Sequence, residues 1–92
     1  MNGPAMENEP ASGVVVAEIN THAFMFRGAG RTRAAARDAL LNAWQAHRSA
    51  LLARYPERAD SIPEASGMEA HFKIHFLEFA MDAGYRDGER IV

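Results

Sequence analysis

The sequence predicts a small α+β domain of two layers, with two or three antiparallel strands packed on one long helix in the order β-β-α-β. Three observations carry this. Residues 14–26, VVVAEINTHAFMF, are rich in β-branched and aromatic side chains, the composition of extended structure. Residues 31–54 repeat their apolar side chains at helical spacing, and residues 69–81, EAHFKIHFLEFAM, alternate apolar and polar side chains as a strand does.

Taken in order, residues 1–13, MNGPAMENEPASG, hold two prolines, two glycines and two acids, and read as a disordered N-terminal tail ahead of a single domain spanning 14–92. Met6 stands beside Met1 as an alternative start. Thirteen residues exceed an ordinary strand, so 14–26 is divided at Asn20-Thr21 into strands Val14 to Ile19 and His22 to Arg27, with one long bent strand as the alternative. A helix begins at Arg31 or Thr32 and runs to Arg54, where Tyr55-Pro56 stops it. On a helical wheel Ala36, Leu40, Ala43, Trp44, His47, Leu51 and Tyr55 share a sector about 120° wide, the expected buried face. In the connector 56–67, Ser61-x-x-Glu64 and Ser66-x-x-Glu69 both fit a capping box, so a short helical turn is expected there.

Residues 69–81 admit two readings. A strand puts Phe72, Ile74 and Phe76 on one side and His71, Lys73 and His75 on the other. A second helix instead gathers Met68, Phe72, His75, Phe76, Phe79 and Ala83, stopping at Gly84, but strands Ile74, Leu77 and Met81 on the wrong side. The strand fits better. The close of the chain has an Asp87-Gly88 turn and room for a short edge strand.

The 92 residues, 48% hydrophobic and 24% charged, allow one domain with a small core. The chain has no cysteine, which excludes disulfides, thiolate zinc sites and thiol nucleophiles. No apolar run spans a membrane and no secretory signal is apparent, so the expectation is a cytoplasmic protein without membrane association. The net charge of −2 hides an uneven layout: residues 27–58 carry +5, flanked by −3 before and −4 after. This dipole fits a self-complementary fold or a basic binding face, and the modest overall charge favours the first.

The stretch FRGAGRTR, residues 26–33, poses the question of a phosphate cradle. Gly28 and Gly30 match the first two glycines of the dinucleotide fingerprint, but its third falls on Arg33. The nucleoside-triphosphate loop needs lysine where Arg31 stands and glycine where Met25 stands. Both patterns fail. The glycines read as a tight bend from strand into helix capped by Thr32, with a loose anion site at Arg31 and Arg33 as the alternative. No cofactor is implied.

Arg37 and Arg48 flank Trp44 along one edge of the helix, with Arg27, Arg31 and Arg33 near its start, a combination of guanidinium groups and ring that suits nucleic acid. The alternative is that the arginine stems cover the rim of the apolar stripe and Arg48 stacks on Trp44. His71 and His75 are the metal candidates: four apart on a helix they share a face, but along a strand they stand about 13 Å apart. His47, within the stripe, reads as a hydrogen-bonded core residue. With no glycine-framed serine and no diagnostic acid–base spacing, an enzyme is not expected.

A sheet this small leaves a face and two edges open. Phe24, Phe26 and the Phe72, Ile74, Phe76 set are the candidates for an exposed interaction patch. The leading expectation is a non-enzymatic protein–protein interaction module, a phage- or plasmid-borne regulator or inhibitor, docking on a protein partner or on its own second copy. The alternative is a nucleic-acid-binding accessory protein using the arginine cluster of residues 27–48. The arrangement is loosely similar to small β-β-α-β modules of bacterial regulators and phage or plasmid accessory proteins, with no motif that assigns a family.

Overall fold

Alternation of side chains decides the centre of the molecule. In a computed structural model describing residues 13–92, strand β1 (Gly13–Asn20) turns Val15, Ala17 and Ile19 inward to near-complete burial, while Val14, Val16 and Glu18 face the other way. β1 is the middle strand of a three-stranded antiparallel sheet, ordered β2-β1-β3, with β2 at Met25–Gly30 and β3 at His75–Ala80. The expected tail falls outside the described residues, except for Gly13, which opens β1 opposite Ala80. The two expected N-terminal strands form. Their boundary differs: the Thr21 hydroxyl bonds both the amide and the carbonyl of Phe24, closing a loop of residues 21–24 so that β2 starts at Met25.

β2 therefore runs through Gly28-Ala29-Gly30, where a bend was expected. The glycines serve close approach instead. A Cβ on Gly28 would collide with Leu40 N and Ala36 O and stand 2.8 Å from Ala39 C; one on Gly30 would stand 2.8 Å from Ala36 N. The long helix α1 (Arg33–Arg54) thus lies backbone-close on β2. Thr32 caps it as expected, its hydroxyl accepting the Ala35 N–H at 2.9 Å, and Tyr55 ends it before Pro56.

Of the predicted helix face, Ala36, Leu40 and Trp44 are buried, Ala43, His47 and Leu51 are half-buried, and Tyr55 is exposed. Length explains the gradient. Twenty-two helical residues span about 33 Å, whereas a six-residue strand spans about 20 Å, so the last turns of α1 overhang the sheet.

Residues 69–81 divide between both readings. A short helix α2 (Ala65–His71) seats Met68 fully in the core, Phe72 becomes extended, and β3 follows. The predicted alternation holds where the chain is extended: Phe72, Ile74 and Phe76 pack on the core and His71, Lys73 and His75 are exposed. A single turn of 3₁₀ helix (Pro56–Arg58) precedes α2. Neither predicted capping box is used: Ser61 donates to the Arg58 carbonyl, and Ser66 lies inside α2. Beyond β3, Asp87 and Gly88 take positive φ in a two-residue turn joining β4 (Tyr85–Arg86) to β5 (Glu89–Arg90).

The close helix–strand contact makes Gly28→Ala costly, because its neighbours are backbone atoms that cannot rotate away. We expect a loss of about 2–3 kcal/mol, lowering the melting temperature by roughly 10–20 °C. Ala29→Ser, on the exposed side of the same strand, serves as the control and should leave the thermal melt near wild type.

Candidate functional site

Most of the arginine cluster is occupied by the fold itself. Arg27 reaches across the sheet to Glu18 at 2.8 Å, directly opposite it in the β1–β2 register. Arg33, at the start of α1, meets Glu78 of β3 at 3.0 Å and lies 5.2 Å from the centre of the Phe76 ring. Arg37 grips Glu69 of α2 with two guanidinium nitrogens, Nη2 donating to Oε1 at 2.6 Å and Nε to Oε2. Arg31 is exposed and has no carboxylate partner among the described residues.

The rest of the cluster holds the connector. The Trp44 indole N–H donates to the Pro63 carbonyl at 2.8 Å, and Arg48 Nε donates to the Ile62 carbonyl at 2.9 Å one turn further on. Trp44 is 7% exposed, and its ring packs on Phe26 and His47. Its stacking surface is therefore spent on the core. His47 is half-buried among Phe24, Phe26 and Trp44 and makes no side-chain hydrogen bond among the described residues, so it acts by packing where hydrogen bonding was expected. Sequence reading passed over Arg54 and Arg58, which both lie over the exposed Tyr55 ring, at 5.7 and 5.1 Å from its centre.

The histidine pair is split, His71 ending α2 and His75 opening β3. The shared helix face needed for joint metal ligation is not formed, and among the described residues no three His, Cys, Asp or Glu converge. An open cleft of about 470 Å³ is lined by Asp60, Ser61, Pro63, His71 and Phe72. It brings an acid, a hydroxyl and an imidazole to one place, a juxtaposition the sequence spacing did not signal. Nucleophile activation requires hydrogen bonds joining them, but the Ser61 hydroxyl donates to the Arg58 carbonyl instead.

The apolar candidates divide by face. Phe26, Phe72, Ile74 and Phe76 pack against the core, so the outward patch they were expected to form is absent; Phe24 alone of that set is exposed, at the tip of the β1–β2 loop. The other side of the sheet carries an apolar strip, exposed at Leu77 and half-buried at Val14, Val16 and Phe79. There the register sets Val16 beside Leu77 and Ala29, and Val14 beside Phe79, with Tyr85 against the Phe79 ring. Apart from Tyr85 of β4, no element packs on this face among the described residues. Glu18, Arg27 and His75 form its polar end, and exposed Met81 lies just beyond β3. The signal was present in the sequence, since inward Val15, Ala17 and Ile19 require outward Val14 and Val16.

Comparison with protein-family profiles, curated proteins and solved structures finds no match to this chain. Among the described residues no helix is long and apolar enough to cross a membrane.

The Arg37–Glu69 pair carries a pH signature. Hydrogen bonding to Arg37 holds the Glu69 carboxyl below its ordinary value of 4.5. A lowered carboxyl pKa stabilises the fold above the unfolded value, and that contribution disappears as pH falls through the folded value. Both side chains are partly exposed, which limits the effect to about 1 kcal/mol. Glu69→Gln should therefore melt a few degrees below wild type at pH 7. The difference should close at pH values well below 4.5, as thermal melts across pH would show.

Proposed function

We propose that this protein is a small non-enzymatic interaction module, which docks the open apolar face of its sheet, with the adjoining β3 edge, on a protein surface. The reading rests chiefly on one observation: Val14, Val16, Leu77 and Phe79 form a contiguous apolar strip on the side of the sheet away from α1. Such a strip rimmed by polar groups suits protein association. A regulator or inhibitor borne by a phage or plasmid and acting in the cytoplasm fits a chain of this size.

The nucleic-acid alternative loses support from the same geometry. Arg27, Arg33 and Arg37 are paired with carboxylates, and Arg48 and Trp44 are bonded to the connector, so releasing them for phosphate means breaking contacts within the fold. What favours it is the smaller group of Arg54, Arg58 and Tyr55.

Two measurements separate the readings. Fluorescence anisotropy with a labelled single strand and a labelled duplex should stay flat at low and high salt. An affinity that falls with salt by several counterions would restore the alternative. The docking reading is tested by immobilising wild type and Val16→Lys, which puts an ammonium in the middle of the apolar face, and offering both to a lysate of the source cell. The expected result is a discrete protein retained by wild type and lost by the variant at unchanged thermal stability. Equal retention by both would sink it.

A further inference from the structure

We propose that the occupant of the β3 edge is a second copy of this chain, pairing β3 antiparallel to β3 about a two-fold axis at Leu77. This rests on the docking reading and names its partner. The argument starts with the backbone. The Ala80 N–H donates to the Tyr85 hydroxyl at 2.8 Å, away from the β1 ladder. Along a strand, alternate residues direct their backbone groups to the same side, so those of Phe76 and Glu78 also point to the edge away from β1, which pairs with no strand among the described residues, while Leu77 and Phe79 pair with Val16 and Val14. The Tyr85 hydroxyl caps the Ala80 end of this edge and leaves Phe76 and Glu78 available around Leu77.

The two edges of the sheet differ. β2 carries the exposed Arg27, a charge that discourages edge pairing, whereas β3 is HFLEFA, with no proline or lysine and with Glu78 as its one acid. Register then selects the centre. A two-fold axis normal to the sheet pairs residues of the same face. Centring it on Glu78 would set two carboxylates opposite each other. Centring it on Leu77 sets Leu77 against Leu77, Phe76 against Glu78 and His75 against Phe79 of the second copy, so no acids oppose. The two sheets become one, both long helices lie on one side, and the two apolar faces run together on the other.

The chain has no cysteine, so Leu77→Cys supplies a sole thiol. At a non-hydrogen-bonded antiparallel pair the Cα atoms lie about 4.5 Å apart, within reach of a disulfide. Mild oxidation of the full chain at micromolar concentration should convert Leu77→Cys mostly to covalent dimer. Ala29→Cys, exposed on the opposite edge strand, should give little. Sedimentation should show wild type at twice the chain mass and Leu77→Lys at the chain mass, with an unchanged circular dichroism spectrum. Equal cross-linking of the two cysteine variants, or a wild type that stays monomeric throughout the micromolar range, overturns the proposal. Should Leu77→Lys not fold, the cysteine pair and wild-type sedimentation still decide it. A monomeric wild type whose capture of another protein is lost in Val16→Lys would reject self-pairing and keep the docking reading. A Leu77-linked dimer with equal capture by wild type and Val16→Lys would do the reverse.

Discussion

The backbone of α1 rests directly on Gly28 and Gly30, and the rest of the fold is arranged around that contact. Without side chains at these positions the helix settles over β2 and β1. β3 is then left without the long helix above it. The opposite flank of the core must be closed by other residues, and Met68 of α2 and the inward row Phe72, Ile74 and Phe76 do so. α2 has only seven residues and could not persist alone, since isolated helices of that length are marginal in water. It is held by the Arg37–Glu69 pair, while Trp44 and Arg48 fix the carbonyls of the segment leading into it. The tight packing on one side of the sheet thus determines where α2 sits and which side chains of α1 must reach for it.

The same arrangement explains the charge layout. The basic middle of the chain lies between two acidic flanks, and Arg27–Glu18, Arg33–Glu78 and Arg37–Glu69 each join the middle to a flank. Exposed pairs such as Arg33–Glu78 contribute little stability individually. Their effect is on the field: they lower the positive potential that a run of arginines would otherwise present to polyanions. A basic segment within a sequence therefore reports a binding face only if its counter-charges lie elsewhere than in the same fold.

How far the sequence was legible depended on the range of the physics involved. The helix from Thr32 to Arg54 was readable because capping, periodicity and the Tyr55-Pro56 stop are local. The small α+β architecture followed from the same patterns. The role of Gly28 was not readable, because a glycine that admits another backbone is chemically identical to one that makes a bend; only the position of α1 distinguishes them. The division of residues 69–81 was hidden for a related reason: Met68 gains its burial from the core, a tertiary effect that overrides the local preference of Glu69-Ala70-His71 for either state. At the candidate surface, the alternation of β1 was legible, but the Phe-rich segments were misleading. The core drew in Phe26, Phe72 and Phe76, and the outward positions fell to valine, leucine, alanine and Phe79.

The open face also bears on stability. The buried core consists of Val15, Ala17, Ile19, Ala36, Leu40, Trp44 and Met68, and three of these are residues no larger than valine or are alanines close to the helix–sheet contact. A core of that size contributes little apolar burial against the chain entropy of the domain, and the chain has neither disulfide nor cluster of metal ligands among the described residues to offset it. Covering Val14, Val16, Leu77 and Phe79 would add apolar burial of the kind the interior lacks. Association and folding are then coupled: whatever occupies the sheet's outer side binds the folded chain and shifts its equilibrium toward the native state. On the proposed reading, the strip that docks a partner is also a part of the molecule through which that partner raises its stability.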